Sequence, residues 1–308
     1  MSEDVLGLIV LFKPNQIQLM VNIRSVATQV EKLLILDNTP DENNESRYKE
    51  NIENAQNLYP NKIVYKKNNS NLGLPPNYNF AIDFAIKNNM KFLLLLDQDS
   101  NTPENTVSKL LSDYHTLSKS FKVGAVCALN EEKIDVANEN YLWDFYERKG
   151  MYNSDGIREI VLAMNSGFLA PISVYKEIGG YDENYFLDCV DQEMCLRMIS
   201  YGYKIFKSEH AVITHSEGEL IFGNFLGIKF PVIRQIPKRY YYISKGTFQL
   251  LIKYWRKFPS ISIFLVLSLI GRNMRIIGFP NNRVRSWFYT SLGVIHFFKG
   301  IQGVLPES

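Results

Sequence analysis

The chain has 308 residues, 46% of them hydrophobic and 21% charged. That is the make-up of a folded protein with room for one α/β domain and a smaller appendage, and it excludes a disordered chain. The formal net charge of +2 conceals a split: from Lys229 onward there are thirteen Lys and Arg against a single acid, Glu307, so residues 1–228 carry about −10. Cys127, Cys189 and Cys195 form no C-x-x-C pair and no even set, which excludes a disulfide framework and a zinc knuckle and leads us to expect reduced thiols in a cytoplasmic protein. Met1-Ser-Glu-Asp lacks the basic start of an export signal. The apolar run Ile261–Ile270 falls short of the ~20 residues of a spanning helix.

In chain order, Val5–Phe12 is a continuous apolar run ending at Lys13-Pro14-Asn15, the pattern of a strand buried on both faces. A helical stretch, Gln16–Val30, follows. Lys32–Leu36 is a second strand closed by Asp37-Asn38, and the polar segment 39–62 holds a surface helix. Ile63–Tyr65 is a third strand. Pro75-Pro76 opens a helix in which Phe80, Ile82, Phe84 and Ile86 recur at four-residue spacing. Phe92–Leu96 is a further apolar strand that runs into Asp97-Gln98-Asp99. Repeated strand–helix units predict a mostly parallel sheet flanked by helices, an α/β fold, and in such sheets ligands gather at the carboxyl ends of the strands. The acidic part gives way to a basic, aromatic one near residues 218–232, which suggests a catalytic domain over 1–228 and a helical C-terminal region over 229–308.

Asp97-Gln98-Asp99 offers two carboxylates to one hard divalent cation, Mg2+ or Mn2+, which shares oxygen ligands with a substrate's phosphates. The alternative is a turn cap beside a solvated acid. Asp37 suits the imide N–H of a uracil or thymine, or else an Asx turn. Asn69, Asn71 and Gly73 offer amides to a ribose or base, or simply form a turn. After the helix-breaking Gly179-Gly180, Asp188 is expected to cap a helix that carries Asp191 in its first turn, where the helix dipole favours an ionised carboxylate. Such a carboxylate serves as a general base. Glu193 and Arg197 are spaced for a helix salt pair. His215 follows an apolar stretch and could add an imidazole to the metal, while Asn165-Ser166-Gly167 could line an acceptor.

In order and spacing, these motifs resemble the family-2 glycosyltransferases of GT-A fold, most closely their bacterial rhamnosyltransferase branch. The resemblance covers roughly residues 5–250: Phe12-Lys-Pro, Asp37, Asn71-x-Gly73, Asp97-Gln-Asp99, Asn165-Ser-Gly167, Tyr185–Arg197, His215 and Arg239-Tyr-Tyr-Tyr242. It implies that Asp37 and Asn71 hold the nucleoside, with Phe12, Gly73, Asp97 and Gln98 on the donor side. Arg239 would steady the diphosphate, Asp97, Asp99 and His215 would hold the metal, Ser166 and Gly167 would face the acceptor, and Asp191 would be the base of an inverting displacement. Two departures stand out. Val190-Asp191 replaces the Glu-Asp of many relatives, and Lys245-Gly246 stands where rhamnosyltransferases often carry Arg-Asn. The donor implied is dTDP-rhamnose, with UDP-galactose, UDP-galactofuranose and UDP-N-acetylglucosamine as alternatives, and the acceptor a saccharide or a polyprenyl-diphosphate-linked saccharide. A non-catalytic carbohydrate-binding protein is the rival from another class. A dehydrogenase would need G-x-G-x-x-G after a strand, which is absent.

Beyond Phe230, aromatic residues interleaved with Lys and Arg suit helices lying on an anionic membrane surface, placing the protein on the inner face of the cell membrane. The alternative is packing on the catalytic domain or on a second subunit. No nucleic-acid-binding motif accompanies the charge.

Overall fold

The computed structural model describes residues 4–40, 45–131, 153–215, 220–225, 228–233, 235–277, 283–301, 303 and 305. Its centre is β1 (Val5–Leu11), which pairs in parallel with β2 (Lys32–Asp37) on one side and β4 (Phe92–Leu96) on the other. Every residue of β4 is buried, as a strand covered on both faces requires. Helices α1 (Gln16–Ala27), α2 (Glu45–Leu58) and α3 (Pro75–Lys87) connect these strands and β3 (Ile63–Lys67). Asn15 caps α1 by accepting from the Ile17 and Gln18 N–H groups, and the proline pair sets the first turn of α3.

The rest of the sheet is built from β5 (Ser100–Asn101), α4 (Thr106–Leu117), β6 (Val123–Asn130), β7 (Asn153–Ser154), β8 (Ile157–Ile160), β9 (Phe168–Pro171), α5 (Ile172–Ile178), α6 (Val190–Ser200) and β10 (Lys204–His215). Among the described residues the strand order is β3-β2-β1-β4-β9-β6-β10-β8-β7, with β5 also pairing to β10. The sheet is not wholly parallel, because β9 runs antiparallel between β4 and β6. Because β2 and β3 lie on one side of β1 and β4 on the other, the winding reverses between β1 and β4, the place where sheets of this kind form a ligand crevice at the carboxyl ends of their strands.

Alternating side chains feed two cores. Leu6, Leu8, Leu93 and Leu95 point to a core closed by α3, α5 and α6, while Val5, Ile9, Leu94 and Leu96 point to one closed by α1, α2 and α4. A hairpin, β11 (Leu220–Phe225) with β12 (Ile228–Ile233), occupies the stretch where the sequence changes character. Three helices follow: α7 (Pro237–Tyr254), α8 (Pro259–Ile277) and α9 (Arg283–Phe298). Leu250 and Tyr254 of α7 and Ile261, Phe264 and Leu265 of α8 join the first core, so the basic tail packs against the sheet and its helices along one side. Among the described residues no helix is long and apolar enough to cross a membrane.

Candidate active site

The acidic turn after β4 is fastened from three directions. Gln98 clasps the end of β1: the Phe12 N–H donates to its Oε1 (2.8 Å), and its Nε2 donates to the Phe12 carbonyl (3.3 Å). From α1, Asn22 Nδ2 donates to the Asp97 carbonyl (2.7 Å) and Gln18 Nε2 to that of Asp99 (3.0 Å). Behind the turn, the Ser166 hydroxyl lies 2.6 Å from that of Ser100 and accepts from the Asp97 N–H (3.4 Å), while the Gly167 N–H donates to Leu95 (2.9 Å). Ser166 and Gly167 thus back the Asp97 turn. Both are buried, so in this conformation the surface they offer an acceptor is small. Antiparallel pairing of β10 with β5 sets His215 opposite Ser100, one residue past Asp99. The side chain of His215 lies outside the described residues.

Asp191 enters from α6, in its first turn as expected, and is only partly exposed. Burial raises its pKa from 3.8 to about 6; the hydrogen bond from the Gln192 N–H works against this, and the charges of Asp188 and Asp97 add to it. Tyr78 of α3 stands at the same place. Burial holds its hydroxyl well above the ordinary phenol value, reinforced by Asp97 and Asp191 and opposed by a hydrogen bond from Asn165. The folded chain thereby brings Asp97, Asp191, Tyr78 and Asn165 together. Tyr78 was hidden in the sequence within an apolar helix pattern; its only signal was a polar tip at a buried position.

The helix start differs from the expectation. The N-cap is Cys189, in the left-handed region (φ 68°), and no side chain caps the helix. Asp188 instead pairs with Arg239 of α7 (Nε to Oδ1, 3.0 Å), and burial raises its pKa although Arg239 and Arg272 hold it down. One turn further along α7, Tyr242 stacks on Phe186 at 4.6 Å between ring centres. The Phe186 carbonyl in turn accepts from the Leu74 N–H (2.8 Å). Gly73 makes this approach possible: its φ is +78°, and a Cβ there would lie 2.5 Å from the Phe186 oxygen. Gly246, at one of the two departures from the family pattern, presses on Cys189, where a Cβ would come within 3.0 Å. Arg239, Tyr242 and Gly246 therefore seat the loop that delivers Asp191.

At the edge near β2, Asp37 is fully buried. Its Oδ1 accepts from the Thr39 N–H (2.8 Å), and its Oδ2 accepts from the Tyr48 (3.0 Å) and Tyr65 (2.8 Å) hydroxyls. The tyrosine pair lines a cavity of ≈140 Å3 with Lys49 and Lys67. The Asn71 side chain accepts from the Gly73 N–H (3.0 Å), forming the turn that was its alternative reading. The buried amides are others: Asn38 accepts from Asn68 and Asn77 and donates to the Gly73 carbonyl (2.8 Å).

The three cysteines are free and buried, and burial pushes the Cys189 and Cys195 thiols up, away from nucleophile chemistry. Ser208 and His210 both bond to Asp113, so they do not form a serine–histidine relay. Among the described residues no three His, Cys, Asp or Glu side chains gather into a cage for an ion. The donor set nevertheless fits a hard cation. Asp97 and Asp99 flank one turn, both partly exposed, and Asp97 lies near enough to Asp191 to raise its pKa; Mg2+ and Mn2+ take their remaining ligands from water and phosphates.

A mixed, mostly parallel sheet with its acids at the carboxyl rim beside the β1–β4 crevice is the GT-A arrangement, and the chain has that fold. No protein-family model matches the chain. It is 23% identical over 249 residues to the dTDP-rhamnosyl transferase RfbF of Shigella flexneri, covering 76% of this chain and 77% of that protein. Among solved structures it resembles the mannosyltransferase PcManGT from Pyrobaculum calidifontis in complex with GDP-Man and Mn2+, with a TM-score of 0.60, 10% identity, and coverage of 97% of this chain and 88% of the other. It also resembles GalNAc-T7 with UDP, GalNAc and Mn2+, with a TM-score of 0.59, 13% identity and coverage of 84% of this chain; it spans about half of that protein, 49%.

Proposed function

We propose that the chain is an inverting, metal-dependent glycosyltransferase that moves L-rhamnose from dTDP-rhamnose to a hydroxyl of a saccharide or lipid-linked saccharide in cell-surface polysaccharide synthesis. The observation that carries this reading is the convergence of Asp97 with Asp191, whose raised pKa of about 6 suits a general base near neutral pH. The rhamnose assignment is supported by the Shigella flexneri relative. The solved structures carry UDP or GDP-mannose, so the fold alone leaves the nucleotide open.

Asp97, Asp99 and His215 would hold the cation, which when bound offsets negative charge on the departing diphosphate. Asp191 accepts the proton of the acceptor hydroxyl as that oxygen bonds to the anomeric carbon. The bond from that carbon to the diphosphate breaks on the opposite face, which inverts the centre. Tyr78, kept protonated by its burial, stands ready to donate to an oxygen at the reacting end of either sugar. Arg239, partly exposed beside Asp188, would steady the diphosphate. The base is met across the tyrosine-lined cavity, with Asp37 orienting Tyr48 and Tyr65 from behind. Asn71 and Gly73 shape the adjoining turn.

A panel of dTDP-rhamnose, UDP-galactose, UDP-galactofuranose, UDP-N-acetylglucosamine and GDP-mannose, each with Mn2+, tests the reading by thermal stabilisation and sugar release. Selective stabilisation by dTDP-rhamnose is expected, since a ligand of the folded state raises stability by mass action. Stabilisation by none of them would contradict a donor site.

A further inference from the structure

The C-terminal helices carry a broad apolar surface that transfer chemistry does not use. α8 is apolar nearly all round. Ile261, Phe264 and Leu265 are buried in the shared core, yet Ile263, Val266, Leu267, Ile270 and Met274 are exposed. At ~100° per residue, these five lie within about 60° of one direction, opposite the buried set. A helix apolar on both sides is one that is covered on both sides. Here the second side has no cover among the described residues.

α9 repeats the arrangement. Its small Ser286 and Gly293 are buried, and Gly293 sits where any side chain would collide with Tyr241 and Ser244 of α7. On the opposite side Val284, Trp287, Phe288, Ile295 and Phe298 are exposed, Val284 by 75% and Phe298 by 70%. The two sides adjoin, since the Trp287 indole N–H donates to the Asn273 carbonyl of α8 (3.4 Å). Single exposed apolar residues are ordinary, whereas a continuous double stripe marks a contact surface.

Charge selects the occupant. Arg283 and Arg285 are exposed and flank the apolar side of α9 at its first turn, and Lys299 follows Phe298 at its far end. At the corner between α7 and α8, Arg256 lies over the Trp255 ring at 5.1 Å. A second copy of this surface would bring like charges together within a chain segment that holds thirteen Lys and Arg and one acid. A bilayer bearing anionic headgroups accommodates both features, taking the apolar side chains between its acyl chains and the cations at its headgroups. No described helix can span, so contact is in the plane of the interface.

We propose that the exposed sides of α8 and α9 form a docking surface for an anionic lipid bilayer. The claim stands apart from the transfer reading. Where the two are joined, and resting on that reading, Arg272 is informative: it lies opposite Ile263 and Met274 around α8 and its charge acts on Asp188, so the side of α8 turned away from the bilayer faces the segment that carries Asp188 and Asp191. A lipid-linked acceptor would present its saccharide there.

The test is co-sedimentation of the full chain with vesicles of phosphatidylcholine alone and of phosphatidylcholine with phosphatidylglycerol, at physiological ionic strength. Binding to the anionic vesicles is expected, with a loss of roughly thirtyfold in Arg283→Gln/Arg285→Gln from the attraction of two cations. Leu267→Glu/Phe288→Glu should abolish binding. Both variants should keep the wild-type thermal midpoint and donor-induced stabilisation, readouts that do not depend on vesicles. Failure of the wild type to bind anionic vesicles would overturn the proposal. So would a solution dimer that Leu267→Glu/Phe288→Glu dissociates, because a second copy would then be the cover.

Discussion

Replacing Asp191 by Asn should make the protein more stable while it stops transfer. The site raises the pKa of this carboxyl from 3.8 to about 6, mainly by burial. A folded-state value above the unfolded one means that the folded chain holds the proton more tightly. The contribution of Asp191 is thus fully present below about pH 4 and is lost as pH rises through 6. A gap of about two pH units at ~1.4 kcal/mol each is worth about 3 kcal/mol, and the partial exposure of the side chain reduces this to about 2 kcal/mol. Asparagine has the same shape and no charge, so the variant escapes the loss. Urea unfolding in a chelating buffer should show it about 2 kcal/mol more stable than wild type near pH 8, with the difference shrinking towards zero near pH 4. Chelation matters because a cation beside Asp97 would offset the same repulsion. Equal stabilities across this range, or near-wild-type transfer by the variant, would refute the reasoning.

Other perturbations follow from the same contacts. Gly73→Ala forces a side chain into a positive-φ turn against the Phe186 carbonyl, and a loss of about 1–3 kcal/mol in urea unfolding is expected; an unchanged midpoint would mean that the turn does not clamp the loop. Glu193 is buried and accepts from Arg197, Lys253 and Tyr254, tying α6 to α7. Glu193→Ala should cost about 3 kcal/mol, partly recovered by adding Lys253→Met, and additive losses in the double variant would argue against the tie. Arg239→Ala removes the partner of Asp188, whose raised pKa then climbs further. Its stability deficit should therefore grow as pH rises, and a deficit that is flat with pH would exclude the pair as its source.

Much of the first half was legible because its signals are contiguous. The apolar strands β1, β2 and β4, the proline start of α3, and Asp191 in the first turn of α6 each depend on neighbours in sequence. The antiparallel β9 was not legible, since Phe168–Pro171 reads as an apolar run with no direction. The contacts that build the site were hidden for another reason. Asp188 meets Arg239 across 51 residues, and Asp37 meets Tyr65 across 28, so each polar group finds its partner only after the sheet has formed. Asp188 looked like a helix cap because local pattern favours that role. The long-range ion pair took it instead, leaving Cys189 at the cap in a strained left-handed conformation.

The most direct test of the central claim is the release of nucleoside diphosphate from dTDP-rhamnose in the presence of a saccharide acceptor, followed through a Mn2+ titration for wild type and Asp99→Ala. The account predicts no release in excess chelator, full recovery of the wild type with Mn2+, and a variant that needs far more metal or never recovers. Undiminished turnover under complete chelation, or an Asp99→Ala titration that overlays the wild type, would contradict it.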